Sequence, residues 1–167
     1  MNKIHFTIPT KNDLWYRIKL LSDPDTMSYN IGYGENGTGC YHRTQEQAEE
    51  WYDKKVNVPG RFYAYITRSE DNTFVGDVAI HFKKDYNVYI VGILIQDSEK
   101  GKGYAEPALR MLVEHAFYEM GLDKVADNFP KDRIAAERLF AKLGFVRQDD
   151  ELVVLTKTDY EALRLNI

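Results

Sequence analysis

Short segments with strand-like hydrophobic patterns fill the middle of the chain. Residues 61–67, 73–82 and 87–95 are rich in β-branched and aromatic residues and are joined by short polar connections. Such connections join antiparallel neighbours, so this region predicts a three-stranded meander. The last of these segments is apolar at nearly every position, which is typical of a central strand covered on both faces.

Helical spacing of apolar residues is found on both sides of this meander. A short strand containing Ile4 and Phe6 comes first, and Thr44 with Gln47 forms a capping box for a helix before the meander. A meander followed by a helical crossover gives a mixed sheet. We therefore expect an α+β domain over residues 1–167, a mostly antiparallel twisted sheet of about six to seven strands with helices on both faces. The other predicted elements are helices at 12–21, about 104–120 and 136–143, strands at 124–127, 145–147 and 152–156, and a terminal helical turn capped by Thr158 with Glu161.

The amino-acid composition excludes several classes of protein. The chain is 44% hydrophobic and 29% charged, which is ordinary for a globular protein, and its net charge of −4 makes nucleic acid an unsuitable main partner. Cys40 is the single cysteine, so an internal disulfide or a multi-thiolate metal site is excluded. No apolar run approaches the roughly 20 residues of a membrane span. We expect a cytoplasmic protein, as a monomer or homodimer, without a membrane partner.

The segment Lys100–Ala105 carries the strongest chemical signal. This Lys-Gly-Lys-Gly-Tyr-Ala turn follows the all-apolar strand and leads into the predicted long helix. Backbone N–H groups at a helix N-terminus attract anions, and glycines let phosphate oxygens approach closely. A P-loop and a dinucleotide fingerprint both fail, the latter because Glu106 stands where the third glycine is needed. The turn therefore predicts a phosphate site of another kind.

Strand, turn and helix together resemble the cofactor motif of the GNAT acetyltransferase superfamily, usually written Gln/Arg-x-x-Gly-x-Gly/Ala. Lys100 departs conservatively from its first position. A second family motif is similar to residues 138–145, which end in Leu-Gly-Phe, and the order of elements fits along essentially the whole chain. Within the superfamily, residues 21–27 and 75–77 look most like the branch that contains ribosomal-protein N-terminal acetyltransferases.

The resemblance implies an acyl-coenzyme A-dependent enzyme without a metal. An acetyl group would pass from acetyl-coenzyme A directly to a primary amine of a peptide N-terminus or a small molecule. A backbone N–H at a bulge near Gly92 and Ile93 would polarise the thioester oxygen. The residues implied in cofactor binding are Ile93, Leu94, Ile95, Lys100, Gly101, Lys102, Gly103, Tyr104, Ala105, Arg133 and Phe140.

Three positions depart from the family pattern and leave the proton transfers open. Phe140 replaces a tyrosine that donates a proton, Ile90 replaces a glutamate base, and Arg133 replaces an asparagine and either reaches cofactor phosphate or lies in solvent. Asp127 and His81 are the first candidates for the catalytic base, beside structural roles as a turn former and a satisfied histidine. The alternative functions are a catalytically inactive coenzyme A sensor and a phosphate-binding interaction domain.

Overall fold

The computed structural model describes residues 3–166 of the chain. Met1, Asn2 and Ile167, which the predicted domain includes, lie outside the described residues. Seven strands form one sheet in the order β1-β2-β3-β4-β5-β7-β6. The strands are β1 Ile4–Thr7, β2 Phe62–Arg68, β3 Phe74–Lys83, β4 Val88–Ile95, β5 Lys124–Asn128, β6 Val146–Arg147 and β7 Leu152–Thr156.

All neighbouring strands are antiparallel except one pair. The β2–β3–β4 meander is antiparallel as expected, and the crossover from β4 through a helix makes β5 parallel to β4. The mixed α+β prediction is thereby confirmed. The helices are α1 Leu14–Ser22, α2 Gln45–Lys55, α3 Ala105–Glu114, α4 Ile134–Lys142 and α5 Lys157–Leu165, and a π-helical turn at His115–Glu119 continues α3.

The two faces of the sheet are covered by different helices. On one face, α3 buries Leu109 and Leu112 against strand residues such as Val78 and Val91. The other face carries α1 and α2 over a hydrophobic cluster that is rich in aromatic residues. Its members include Tyr16, Trp51, Tyr52, Tyr63, Tyr65, Phe74 and Leu94. No helix within residues 3–166 has both the length and the apolar character needed to cross a membrane.

The capping residues predicted from the sequence are correct for α2 and wrong for α5. The Thr44–Gln47 capping box is present, with the Gln47 backbone N–H donating to the Thr44 hydroxyl at 3.2 Å. The terminal helix is instead capped by Thr156, two residues before the predicted Thr158, because β7 ends there and the Thr156 hydroxyl accepts from the Asp159 N–H.

The bulge expected near Gly92 is absent from β4. Partners across β3 and β4 run without interruption from Gly76 opposite Ile95 to Lys83 opposite Val88. The described register shift lies between β2 and β3, at Ile66 and Thr67. Gly92 therefore belongs to a regular strand. Because it has no side chain, it leaves free space beside β4.

Candidate active site

An opening between β4 and β5 is the central feature of the candidate site. The two parallel strands pair only at Tyr89 with Val125 and at Ile90 with Ala126. Beyond Ile90 the strand β4 continues to Ile95 with pairing to β3 on one edge. The backbone of Ile93, Leu94 and Ile95 thus faces the opening on its second edge, where an extended ligand can pair with it.

The glycine-rich turn follows β4 and closes one end of this opening. Gly101 and Gly103 have φ of +76° and +82°, a conformation that favours glycine. The first N–H groups of α3 lack intrahelical acceptors, and within residues 3–166 no backbone carbonyl accepts a hydrogen bond from residues 101–106. These donors, together with the positive end of the helix dipole, are suited to bind an anion.

The two lysines of the turn are paired with nearby carboxylates. Lys100 Nζ lies 3.1 Å from Asp97 Oδ1, and Lys102 Nζ lies 3.1 Å from Glu99 Oε2. Both lysines are exposed, and the pairing reduces the charge that they offer to a phosphate. Tyr104 and Ala105, also predicted to bind cofactor, form the N-cap and first residue of α3, and the Tyr104 ring is buried.

Lys3 is a residue at this turn that sequence reasoning missed. Its ammonium donates to the Lys102 carbonyl and lies 4.9 Å from the centroid of the Tyr104 ring. A Cβ added at Gly103 would come within 3.4 Å of it. Lys3 and Lys102 are 99 positions apart, so only the pairing of β1 with β2 brings this charge to the turn, and no local signal predicts it.

Asp127 lies where β5 separates from β4. It pairs with Val153 of β7 on one side and follows Ala126, the last residue of β5 paired with β4. Burial raises the pKa of its carboxyl group to about 7, against the opposing effects of the Asn128 N–H, Arg133 and Lys83. The N–H of Asn128 donates to Asp127 Oδ1 at 2.8 Å. A carboxyl group with this pKa can exchange a proton near neutral pH.

His81, the other predicted base, occupies a different place. It lies on β3 opposite Ile90 and, by strand alternation, faces α1 and α2 together with Asp77. Burial lowers the pKa of its imidazole, and Arg61 and Lys83 lower it further. This lowered pKa favours the neutral imidazole. Alternation directs Asp127 to the other face, beside Val125, so the two candidates do not form a pair.

Arg133 connects α4 with the glycine-rich loop before α2. It is the N-cap residue of α4, and its guanidinium carbon lies 4.8 Å from the Tyr29 ring centroid and 5.8 Å from that of Phe129. Burial raises the pKa of the Tyr29 hydroxyl, Asp77 raises it further and Arg133 opposes this. The structure thus brings the loop at 29–41 against α4, close to Asp127.

Phe140 is buried in the hydrophobic core. Only 2% of its surface is exposed, and its ring centroid lies 5.2 Å from that of Phe129 and 4.8 Å from that of Phe145. The ring therefore packs inside the core beneath the sheet, and a contact between it and a cofactor stays a prediction.

A charged cluster lies on the α1–α2 face of β3. The Tyr63 hydroxyl donates to Asp77 Oδ2 at 2.6 Å, and Arg17 Nη1 is 3.7 Å from the same oxygen. Burial raises the pKa of the Asp77 carboxyl group, which Arg17 and Tyr63 oppose. The Arg17 guanidinium stacks on Trp51, with 3.7 Å between guanidinium carbon and ring centroid. Asp77 is opposite Leu94 in the sheet, so this cluster borders β4.

Among residues 3–166, no group of three or more histidine, cysteine, aspartate or glutamate residues is placed to hold a metal ion. The site consists of backbone donors, the carboxyl groups of Asp127 and Asp77, both of raised pKa, and aromatic and guanidinium groups.

Solved structures with the same fold include known acetyltransferases. A spermidine N-acetyltransferase from Vibrio cholerae, solved with coenzyme A and spermine, has a TM-score of 0.79 at 16% identity and covers 95% of this chain and 98% of that chain. An acetyltransferase of the GNAT family from Bacillus anthracis has a TM-score of 0.74 at 16% identity, covering 94% and 96%. At such low identity these similarities establish the fold alone.

Sequence relatives and a family match identify the family. The uncharacterized N-acetyltransferase YnaD of Bacillus subtilis is 25% identical over 63% of this chain, and the probable N-acetyltransferase YjcK of the same organism is 20% identical over 58%. The aligned regions are 61% and 55% of those proteins, so the chain spans less than two thirds of their length. The acetyltransferase (GNAT) domain family matches residues 5–146. This match covers most of the chain, which therefore belongs to the GNAT acetyltransferase family.

Proposed function

We propose that the protein transfers an acetyl group from acetyl-coenzyme A to a primary amine, on a small molecule or a peptide N-terminus, by direct attack in a ternary complex. The observation that carries the proposal is the opening between β4 and β5. It has free backbone donors at the phosphate end and Asp127 at the other. Family membership supports the same reaction, since GNAT acetyltransferases use acetyl-coenzyme A.

The residues present fit coenzyme A in two separate ways. The N–H groups at 101–106 suit a diphosphate, and the free edge of Ile93–Ile95 suits an amide-bearing arm. Because the turn directly follows β4, a ligand held there by its phosphates can continue along this edge toward Gly92. In the described part of the chain, no atom lies within 4 Å of the position of a Gly92 Cβ.

Few groups of the protein would take part in the acetyl transfer. Bound acetyl-coenzyme A supplies the thioester carbonyl that the amine nitrogen attacks. Asp127 accepts the amine proton directly or through one water, for which its pKa of about 7 is suited. A β4 N–H facing the opening stabilises the carbonyl oxygen, and alignment of the two substrates along β4 provides the proximity contribution. Phe140 donates no proton, but a thiol has a pKa of about 8.5, so solvent suffices to protonate the leaving thiolate.

The reaction is tested by thiol release from acetyl-coenzyme A with a panel of primary amines and peptides. Turnover with at least one amine is expected. Tight binding of coenzyme A without turnover on a broad panel would instead favour the coenzyme A sensor. Turnover of a peptide would favour the branch that contains ribosomal-protein N-terminal acetyltransferases, which residues 21–27 resemble. Turnover of a polyamine would favour an acceptor like that of the Vibrio cholerae spermidine N-acetyltransferase.

The cofactor site is tested by Gly103→Glu. The substitution puts a carboxylate and bulk beside the N–H groups that would bind phosphate, at a residue whose positive φ disfavours any side chain. We expect coenzyme A affinity to fall at least about 100-fold, measured by calorimetry, because a like charge opposes the diphosphate at close range.

Gly121→Glu is the matched control. Gly121 has a φ of +69° and lies at the opposite end of the helical segment that Gly103 precedes. It carries the same change of residue, charge and backbone strain, and should leave coenzyme A affinity unchanged. Equal affinity in the Gly103 variant and the wild type would reject the site.

A further inference from the structure

A cavity of about 110 Å³ lies between α1 and α2, beside the charged cluster on β3. Two arginines, Arg17 and Arg43, contribute to its wall. The remaining lining residues are Ile18, Leu21, Gln47, Ala48 and Trp51, and no carboxylate is among them. The wall therefore combines positive charge with apolar surface.

Arg17 is held in place but leaves donors free. Its guanidinium lies on the Trp51 ring, and Nη1 makes its one side-chain hydrogen bond within residues 3–166, a long one of 3.5 Å to the Tyr63 hydroxyl. The ion pair with Asp77 is 3.7 Å long, outside hydrogen-bonding distance. A guanidinium group carries five N–H donors in a planar fork, so most of those of Arg17 remain for a ligand.

Arg43 brings a second guanidinium to the cavity from the loop before α2. Its Nη1 donates to Glu35 Oε1 at 3.0 Å and to the His42 carbonyl at 3.0 Å. Glu35 also accepts from the His42 N–H at 2.9 Å, so its carboxylate has several donors. Glu35 does not line the cavity. Asp77 likewise lies behind Arg17 and not in the wall.

The cavity is close enough to the opening to hold part of an acceptor. Arg17 borders Asp77, and Asp77 is opposite Leu94 in the β3–β4 register, two residues from Gly92. An acceptor whose amine reaches the opening can therefore place its remaining part between α1 and α2.

We propose that this cavity binds a carboxylate of the acceptor, so that the enzyme acetylates amines that carry a negative group and discriminates against polyamines. The inference rests on the proposed function and specifies its substrate class. A planar guanidinium fork pairs with the two oxygens of a carboxylate, whereas a polyamine would place ammonium groups against two arginines. The positive charge of the cavity wall therefore favours an anionic group over the ammonium groups of a polyamine.

The test compares matched acceptors in the thiol-release assay. Glycine, β-alanine, γ-aminobutyrate and ε-aminohexanoate are each assayed beside the corresponding carboxamide, with spermidine as the polycation. At least one carboxylate should exceed its carboxamide in kcat/KM by about 10- to 100-fold, the range of one hydrogen bond between charged groups. For the longer acceptors the difference should lie mainly in KM, because their carboxylate is far from the reacting amine.

Variants then assign the preference to the cavity. Arg17→Gln should reduce the ratio of kcat/KM for the preferred carboxylate to kcat/KM for its carboxamide by about 10- to 100-fold. Because loss of Arg17 leaves Asp77 without its cation, a thermal melt must accompany this variant. Arg43→Glu, at an exposed position, should lower the preference for the carboxylate and raise spermidine activity. Lys54→Gln removes one positive charge from α2 outside the cavity. It should change neither the preference for the carboxylate nor the activity with spermidine.

Each outcome is decisive. Carboxylates equal to their carboxamides, a preference for spermidine, or a carboxylate preference that Arg43→Glu leaves intact would overturn the inference while the acetyltransferase proposal stands. No turnover with any amine would overturn both. A carboxylate preference lost in both arginine variants and kept in Lys54→Gln would support it.

Discussion

Asp127 is the single side chain whose ionisation should control the reaction. Its carboxyl pKa is raised to about 7, and a catalytic base works only when deprotonated. We expect the Asp127 contribution to wild-type kcat/KM to rise with pH up to about 7 and then level off, separately from the further rise caused by deprotonation of the acceptor amine. Asp127→Asn should lower activity by about 100-fold or more and remove this rise, a loss typical of a general base. Dividing the wild-type profile by the variant profile cancels the ionisation of the amine.

The same ionisation predicts an opposite effect on stability. A folded-state pKa raised above the unfolded value of about 3.9 stabilises the fold below that value, and this stability is lost as pH rises through about 7. Asp127→Asn should therefore be more stable than the wild type at pH 8, by about 1 to 4 kcal/mol in urea unfolding, and equal to it near pH 4. His81→Gln is the control for activity; loss of the rise in kcat/KM with pH in His81→Gln and its retention in Asp127→Asn would make His81 the base.

At this scale the sequence predicted the identity of groups better than their surroundings. Asp127 was proposed as a base because it ends a strand beside the cofactor strand, and its role stays a prediction. Its raised pKa depends on burial that the fold creates. Lys3 beside the phosphate turn and Tyr29 on Arg133 join residues about 100 positions apart. Such contacts depend on tertiary packing and have no local pattern.

At the scale of elements, β4 provides the backbone groups of the candidate site and the free space at Gly92. Gly92 has no positive φ, and a Cβ there would meet no atom of residues 3–166 within 4 Å. By alternation it faces α1 and α2 with Leu94, the side from which the proposed acceptor approaches. Asp127 faces the other side of the sheet, so the amine would reach it through the opening between β4 and β5.

Gly92→Ala should therefore separate stability from activity. We expect stability to be unchanged or raised by about 0.5 to 1 kcal/mol, because alanine loses less entropy than glycine. The KM for the amine should rise while coenzyme A affinity stays the same. Gly76→Ala, on β3, is the contrasting variant, since its Cβ would lie 2.2 Å from the Leu94 carbonyl oxygen and should destabilise the fold. Unaltered amine kinetics in Gly92→Ala would place the acceptor elsewhere.

The elements themselves were largely predictable because their signals are local. The segment predicted as a helix at about 104–120 is α3 with its π-helical turn, and the glycine that ends it, Gly121, has the expected positive φ of +69°. The bulge at Gly92 was predicted wrongly, because a glycine inside a strand signals either a bulge or free space, and only the register distinguishes them.

For the whole molecule, the sheet consists of two parts with a narrow connection. Strands β1 to β4 form one antiparallel part, β5, β7 and β6 form the other, and the described pairing between them is limited to two positions at the start of β4 and β5. A ligand that pairs with β4 and binds the N-terminus of α3 would hold these parts together. Binding should then stabilise the protein as a unit, by about 2.7 kcal/mol at 100 times the dissociation constant.

Hydrogen exchange with coenzyme A measures this effect strand by strand. Amides of β4 beyond Ile90 that face the opening have no strand partner there, so they should exchange rapidly in the free protein and slow down when the ligand pairs with them. Peptides that cover Ile93–Ile95 and the turn at 100–105 should show the largest protection, beyond any uniform increase. The paired strands β2 and β3 serve as the internal reference, and Gly103→Glu under the same conditions should show no protection. Protection spread evenly over β2, β3 and β4 would mean that the ligand stabilises the fold without occupying the opening.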